Sequence, residues 1–171
     1  MKFVHLFLLV LLPAATALAT PPGGEASAPA AKGASSHVML DASKIAWGDV
    51  PPFLPPGAQF KAISGDPSKP GGMFVVRLKV PAGYRVPRHW HPNDEHVTII
   101  EGTVKLDMGS GSDTHASQLE AGDYVLLPAH MQHEATAQTA AVVQIHGASP
   151  FEINYVDPKD DPRNGTPGDS D

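Results

Sequence analysis

Apolar and polar residues alternate along several short stretches of this chain, with a period of two residues. Thr103 to Met108 shows the alternation, and the same pattern is clearest from Met73 to Val80. Since successive side chains of a strand point to opposite faces, this period predicts β-strands with one buried face. About ten short strands, with turn signals at roughly 8–12-residue spacing, are typical of an all-β sandwich or barrel.

The other predicted strands are separated by segments rich in turn-forming residues. Residues 109–113 are predicted to be a loop and residues 119–123 a turn. The strands His133–Ala137 and Ala141–His146 are expected to form a hairpin around residues 138–140. The remaining predicted strands are His37–Leu40, Gln59–Ile63, Tyr124–Leu127 and Phe151–Val156.

The two ends of the chain differ in composition from the middle. Residues 1–19 combine Lys2, an apolar run and a small-residue end, which is the pattern of a secretory signal peptide. A membrane anchor is disfavoured because the run is short and Pro13 interrupts it. Residues 20–36 are predicted to be a flexible linker and residues 158–171 an acidic, Pro/Gly-rich tail. One domain at residues 37–157 remains, and an exported protein, periplasmic or secreted, is expected.

Composition and charge exclude several classes of function. The chain has 171 residues, a formal net charge of −6 and no cysteine. Nucleic-acid binding is not expected, because no basic stretch is present. The lack of thiols excludes disulfides, thiolate zinc sites and iron–sulfur clusters. No nucleophile elbow or phosphate-binding glycine loop is found. The candidate chemistry therefore rests on histidines and carboxylates.

Residues 83–102 contain three possible metal ligands close together. His89 and His91 share one face of a strand-like run, because side chains alternate. The Pro-Asn-Asp sequence at 92–94 predicts a turn, after which Glu95 begins a second apolar strand. A tight turn would bring this carboxylate back towards the two imidazoles. Nitrogen and oxygen donors grouped in this way suit an open transition-metal site.

The spacing of these residues resembles the first motif of the cupin superfamily at every fixed position. It reads glycine, five residues, His89, one residue, His91, three residues, Glu95, six residues and glycine. The resemblance covers roughly residues 73–146. It implies a single-domain, RmlC-like cupin with the fold of a small double-stranded β-helix, the jelly-roll barrel, and it implies a homodimer.

A later segment, Gly122–His133, resembles the second cupin motif and places His133 at the position of its histidine. It departs from the motif twice. His130 stands where the family usually has glycine, and Ala137 stands where it usually has asparagine. Because the asparagine is not a usual ligand, its replacement leaves the metal site intact.

The resemblance implies a metal site of three histidines and one glutamate: His89, His91, Glu95 and His133. Such donors suit a divalent transition metal, Mn, Fe, Co, Ni, Cu or Zn, and leave about two octahedral positions open. The favoured function is a metal-dependent enzyme of dioxygenase, decarboxylase or isomerase type acting on a small oxygen-rich substrate. The alternative is a non-catalytic cupin that binds a metal or small ligand as a sensor or store.

Three residues are candidates for acid–base chemistry. Glu95 takes a proton in the hypothesis that it leaves the metal. His130 either gates the site or caps its turn. His146 ends a strand, and it is a candidate for proton transfer at the mouth of the barrel. His96 is expected to face outwards, on the side of the strand opposite Glu95.

Overall fold

The computed structural model describes residues 37–165, so the predicted signal peptide and linker lie outside the described residues, as does the end of the tail. Within this range the chain forms β-strands and three short 3₁₀ turns, and no helix is long and apolar enough to cross a membrane. The strands are β1 (Gly48–Asp49), β2 (Gln59–Ser64), β3 (Gly72–Val80), β4 (Arg85–Trp90), β5 (Glu95–Glu101), β6 (Thr103–Ser110), β7 (Asp113–Glu120), β8 (Tyr124–Leu127), β9 (His133–Ala137), β10 (Ala141–Ser149) and β11 (Asn154–Tyr155).

The strands form two antiparallel sheets. The order is β1-β2-β3-β10-β5-β8 in the six-stranded sheet and β11-β4-β9-β6-β7 in the five-stranded sheet. Side chains from both sheets meet in one hydrophobic core, which includes Leu78 and Ile99 from one sheet and Val104 and Ala137 from the other. The prediction of an all-β jelly-roll barrel is confirmed.

The alternation predicted along β3 places its apolar face in this core. Phe74, Val76, Leu78 and Val80 are at most 7% exposed. Phe74 is fully buried, together with Ile99 of β5. Period-two patterning therefore identifies the inner face of the central strands, because one face of each strand must be removed from water.

The predicted hairpin of His133–Ala137 and Ala141–His146 is wrong, although both segments are strands. The first, β9, pairs with β4 and β6 of the five-stranded sheet. The second, β10, pairs with β3 and β5 of the six-stranded sheet. The turn between them carries the chain from one sheet to the other. Apolar patterning predicts which face of a strand is buried, and it does not predict which strand lies beside it.

Two further sequence predictions differ from the structure. His37–Leu40 is not a strand, and its apolar side chains are exposed, with Met39 at 88%. Conversely, β7 was not predicted as a strand; it overlaps the first two residues of the turn predicted at 119–123, and the turn itself lies at residues 121–122. This strand is the edge of the five-stranded sheet, and most of its side chains are exposed. An edge strand of this kind needs no apolar alternation, so its sequence carries no such signal.

The last part of the domain extends into the predicted tail. Of the predicted strand 151–156, only the two residues of β11, Asn154 and Tyr155, pair with a neighbouring strand, β4. Two 3₁₀ turns then follow, and the guanidinium of Arg163 donates a hydrogen bond to the carbonyl of Ile153 at 3.1 Å. The described beginning of the tail therefore packs back on the barrel.

We expect Gly102→Ala to destabilise the barrel more than Gly83→Ala. Both glycines have positive φ, +81° and +82°. A Cβ at Gly102 would overlap the carbonyl oxygen of Ala140, whereas a Cβ at Gly83 meets nothing within 4 Å. The left-handed conformation alone costs about 1–2 kcal/mol, and overlap raises the loss at Gly102 to about 2–4 kcal/mol. Urea unfolding of both variants measures the difference, and equal losses would contradict the steric argument.

Candidate metal centre

His89 and His133 meet because their strands are neighbours. They lie on β4 and β9 of the five-stranded sheet and face each other directly in the strand register. Their ring centroids are 4.2 Å apart. Both side chains point into the barrel, where they are 4% and 2% exposed. The sheet register thus joins the first and second sequence motifs at one point.

His91 and Glu95 reach the same point from the turn that links the two sheets. β4 belongs to the five-stranded sheet and β5 to the six-stranded sheet, so the turn crosses the barrel instead of closing a hairpin. Two hydrogen bonds hold the crossing. The backbone N–H of His130 donates to the carbonyl of His91 at 2.8 Å, and the N–H of Ala129 donates to the carboxylate of Asp94 at 2.8 Å.

All four predicted ligands are brought together. Nitrogen atoms of His89, His91 and His133 lie within 4.8 Å of one another. The Glu95 carboxylate oxygen Oε2 is 3.1 Å from Nε2 of His133 and 3.5 Å from Nε2 of His91. His89 and His91, which were expected to share one face of a strand-like run, are both buried here at 4% exposure, although β4 ends at Trp90.

Each imidazole is held by a backbone carbonyl. Nδ1 of His89 lies 2.6 Å from the carbonyl oxygen of Pro87, and Nδ1 of His91 lies 2.6 Å from that of Glu152. Nδ1 of His133 lies 3.0 Å from the carbonyl of the preceding loop. Because a carbonyl only accepts, Nδ1 carries the hydrogen and Nε2 presents a lone pair. The same arrangement orients histidine ligands in metal sites.

The lone pairs converge on a place where the protein offers no donor. Nε2 of His91 is buried and has no hydrogen-bond partner among the described residues. Nε2 of His133 faces a carboxylate oxygen of Glu95, which is also an acceptor. Buried acceptors facing one another are unfavourable unless a cation lies between them. The donor set therefore fits a divalent transition metal.

Burial gives these groups the protonation states that a metal requires. Burial, followed by the neighbouring histidines, lowers the pKa of His89 to about 3, and burial also lowers the pKa of His91. Burial by itself raises the pKa of Glu95, but positive charge on the surrounding imidazoles outweighs it and lowers that pKa to about 2. When the imidazoles are neutral, a bound cation supplies the positive charge instead. At neutral pH the cluster combines neutral His89 and His91 imidazoles with an ionised carboxylate, as metal ligation demands.

Two aromatic residues that sequence reasoning did not assign to the site support the histidines. Phe151 stacks on the ring of His91 with centroids 4.2 Å apart and an interplanar angle of 20°. Tyr155 pairs with His89 in the strand register, and its hydroxyl donates to the carbonyl of Phe53 at 2.8 Å. Phe151, Ile153 and Tyr155 occupy alternate positions, and in an extended segment such positions point to the same side, here towards the interior.

The cluster lines part of a cavity of about 120 Å³ between the two sheets. Both sheets line it, and nearly all the lining side chains are aliphatic or aromatic. The exceptions among the described residues are the ligand set and Tyr84. The cluster is therefore a small polar spot in an apolar barrel.

The other two candidate histidines do not reach this cavity. His130 is exposed, with its ring 5.0 Å from that of Trp90, and it adopts the positive φ of 65° that favours glycine. Contrary to the expectation of a place at the mouth, His146 lies on the outer face of β10. There it stacks on His96 with centroids 4.6 Å apart. The outward orientation predicted for His96 is confirmed, and Nδ1 of its ring lies 2.6 Å from the hydroxyl of Tyr124.

We expect Phe151→Leu to weaken metal binding while leaving the fold intact. The change removes the stacking on His91 and keeps an apolar side chain. An aromatic pair contributes about 0.5–1.5 kcal/mol beyond its buried area, so Zn²⁺ affinity should fall about 2- to 12-fold. Competition with a chromophoric chelator measures the affinity. Phe60→Leu is the control, because Phe60 lines the same cavity without a recorded ring contact to a histidine. An equal loss in both variants would contradict the role of the stacking.

Comparison with known proteins agrees with this architecture. The polyketide cyclase RemF from Streptomyces resistomycificus is similar with a TM-score of 0.61 at 12% identity, over 74% of this chain and 90% of RemF. An RmlC-like cupin from Shewanella frigidimarina has a TM-score of 0.52 at 18% identity, over 67% of this chain and 91% of that protein. Salicylate 1,2-dioxygenase from Pseudoaminobacter salicylatoxidans, as an adduct with gentisate, has a TM-score of 0.50 at 16% identity, over 61% of this chain and 30% of the dioxygenase.

At these identities the similar structures show the fold alone. No curated protein shows significant sequence similarity to this chain. Residues 35–152, most of the chain, match the family described as the ChrR cupin-like domain. The two-sheet barrel, the two motifs and this match agree, so the protein belongs to the cupin superfamily, in the family of ChrR cupin-like domains.

Proposed function

We propose that this protein is an exported metal-dependent enzyme, in which His89, His91, His133 and Glu95 hold a divalent transition metal. One observation carries the proposal. Three buried imidazoles present unprotonated Nε2 atoms to one another and to a carboxylate, in the wall of an apolar cavity. The similar structures of a cyclase and a dioxygenase support an enzyme, and dioxygenase, decarboxylase and isomerase types remain the candidates.

The residues of the chain define what such a site does. When bound, the metal supplies a Lewis acid that polarises an oxygen atom of a substrate or binds oxygen. The backbone carbonyls hold the imidazoles in the orientation that presents Nε2 to the cluster. The apolar walls beside the cluster offer few hydrogen bonds to water. Glu95 would accept a proton only after leaving the metal, because as a ligand its carboxylate stays ionised.

A second candidate function is binding without catalysis, as a sensor or store. The observation in its favour is the composition of the cavity. Apart from the ligand set, the only acid or base among the described residues that line the cavity is the phenol of Tyr84. Burial raises the pKa of that phenol to about 12, so it does not act as a base near neutral pH. His130 and His146, the acid–base candidates from the sequence, lie outside.

Export and dimerisation are part of the proposal. Residues 1–19 supply the signal-peptide pattern, and residues 20–36 supply a linker to the barrel. The outer face of the six-stranded sheet carries exposed apolar side chains, Tyr124 at 53% and Leu126 at 43%. Exposed side chains of this kind support pairing with a second copy of the chain.

Removing two ligands is expected to abolish metal binding. Wild-type protein should contain close to one equivalent of metal, and the double variant H89A/H91A almost none, because the remaining ligands are too few. Mass spectrometry of the metal content measures this. The matched control is H96A/H146A, which removes two histidines from the outer face of the barrel and should keep the metal. Equal metal in wild type and H89A/H91A would refute the ligand assignment.

The metal identity is expected to follow from the export route. A chain exported unfolded acquires its metal outside the cytoplasm, where the order of affinities favours Cu or Zn over Mn. Protein recovered from the periplasm or medium of an exporting host should begin at Thr20 and contain mainly Cu or Zn. Intact-mass and metal analysis of one sample measure both properties. An uncleaved chain would contradict export, and a predominance of Mn or Fe would contradict the loading argument.

A further inference from the structure

We propose that the cavity takes a small, predominantly apolar molecule, about the size of one carbocyclic ring, whose oxygen atoms are confined to the end that reaches the ligand cluster. This inference rests on the proposed metal function and narrows its substrate class. The sequence alone suggested an oxygen-rich substrate. The walls of the cavity, its volume and its charge favour oxygen atoms at one end only.

The walls offer almost no hydrogen-bond partner to a substrate. Apart from the ligand cluster, the only polar side chain that lines the cavity within the described residues is Tyr84. Its hydroxyl already donates to the carbonyl of Pro55 at 2.6 Å. A substrate hydroxyl placed against the remaining wall would lose its water and gain no partner. Each buried polar group without a partner lowers affinity, whereas each apolar carbon raises it.

The walls also carry no cation that could bind a carboxylate away from the cluster. Among the described residues no lysine or arginine lines the cavity. The two arginines of β4 have partners outside it. Arg85 forms an ion pair with Glu134 at 2.7 Å, and Arg88 donates to the carbonyl of Gly109. A substrate with charged groups at both ends would therefore leave one charge unpaired in an apolar wall.

The volume limits the apolar body of the ligand. The cavity measures about 120 Å³. An apolar cavity of about 150 Å³ holds benzene, and the present one is smaller, so the apolar body of the ligand is at most one small ring or a short branched chain. Phe53 and Leu54 line one part of the cavity, and Phe151 stacks on His91 in another. A larger body would have to displace these side chains.

The charge of the metal-loaded cluster determines which charge the polar group of the ligand should carry. A divalent ion together with an ionised Glu95 ligand leaves a net charge of +1, because imidazoles that ligate a metal are neutral. No other ionic side chain lines the described cavity. A head group with one negative charge and an oxygen donor, such as a carboxylate, phenolate or enolate, would neutralise the site. The ligand thus carries one negatively charged oxygen group, and the rest of the molecule is apolar.

Cyclohexene carboxylate and shikimate are the probes that test this class. They share the ring and the carboxylate, and shikimate adds three hydroxyl groups. We expect zinc-loaded protein to bind cyclohexene carboxylate about 100-fold more tightly, since unpaired polar groups in an apolar pocket are strongly disfavoured. Calorimetry measures both affinities. The ranking should persist in metal-free protein at lower affinity, because the walls are the same. Equal or tighter binding of shikimate in the two forms would overturn the proposed class.

A pair of variants of β9 locates the binding. Ala135 lines the cavity, and Thr136, the next residue, faces outwards. A135L should fill the cavity and weaken cyclohexene carboxylate about tenfold or more without changing zinc content, whereas T136L should change neither. If A135L fails to fold, the ranking of the two probes on wild-type protein decides the question alone. Unchanged probe affinity in folded A135L would overturn the location.

Zinc content measured on the same samples separates the two proposals. Wild-type protein that cannot be loaded with zinc or another divalent metal overturns the metal centre. Zinc-loaded protein that prefers shikimate overturns only the substrate class and leaves the metal centre standing.

Discussion

The hydrogen bonds from imidazole Nδ1 atoms to backbone carbonyls determine which nitrogen of each buried histidine is free to bind a metal. Pro87 and Glu152 supply two of these carbonyls, and the loop before His133 supplies the third. The first and third are local, two residues before their own histidines, whereas the Glu152 carbonyl lies 61 residues from His91, so the orientation of His91 requires that the C-terminal segment has packed on the barrel. Because Nδ1 is satisfied by the backbone, Nε2 is left as an acceptor in an apolar interior. Fold and metal chemistry are thus coupled through three backbone contacts.

The rest of the interior follows from the need to keep this polar spot small. The cluster is surrounded by aliphatic and aromatic side chains, and the phenol of Tyr84 has its partner in Pro55. Low polarity strengthens the attraction between the carboxylate of Glu95 and a cation. The same low polarity restricts the ligands that can enter. One apolar wall therefore accounts for both the strength of the proposed metal site and the selectivity of the cavity.

Sequence reasoning found the residues whose positions are determined locally. The spacing of His89, His91 and Glu95 predicted a cluster, because strand alternation and a single turn bring them together. His133 required the family resemblance, since only the strand register places it opposite His89. The edge strand β7 lacks apolar alternation, and the separation of β9 and β10 into different sheets depends on long-range pairing. Neither is encoded in a short window of sequence. The role of Phe151 depends on tertiary contact with His91 in the same way.

Phe53 and Leu54 line part of the cavity, and the segment to which they belong, residues 51–57, is not a strand. Two tyrosine hydroxyls donate hydrogen bonds to this segment, that of Tyr84 to the carbonyl of Pro55 and that of Tyr155 to the carbonyl of Phe53. Leu54 of this segment also packs against the hydrophobic core, so polar and apolar contacts together hold the segment in place. Tyr155 belongs to the same C-terminal stretch as Glu152, whose carbonyl orients His91. One short stretch near the end of the domain therefore fixes both a candidate metal ligand and part of the cavity wall.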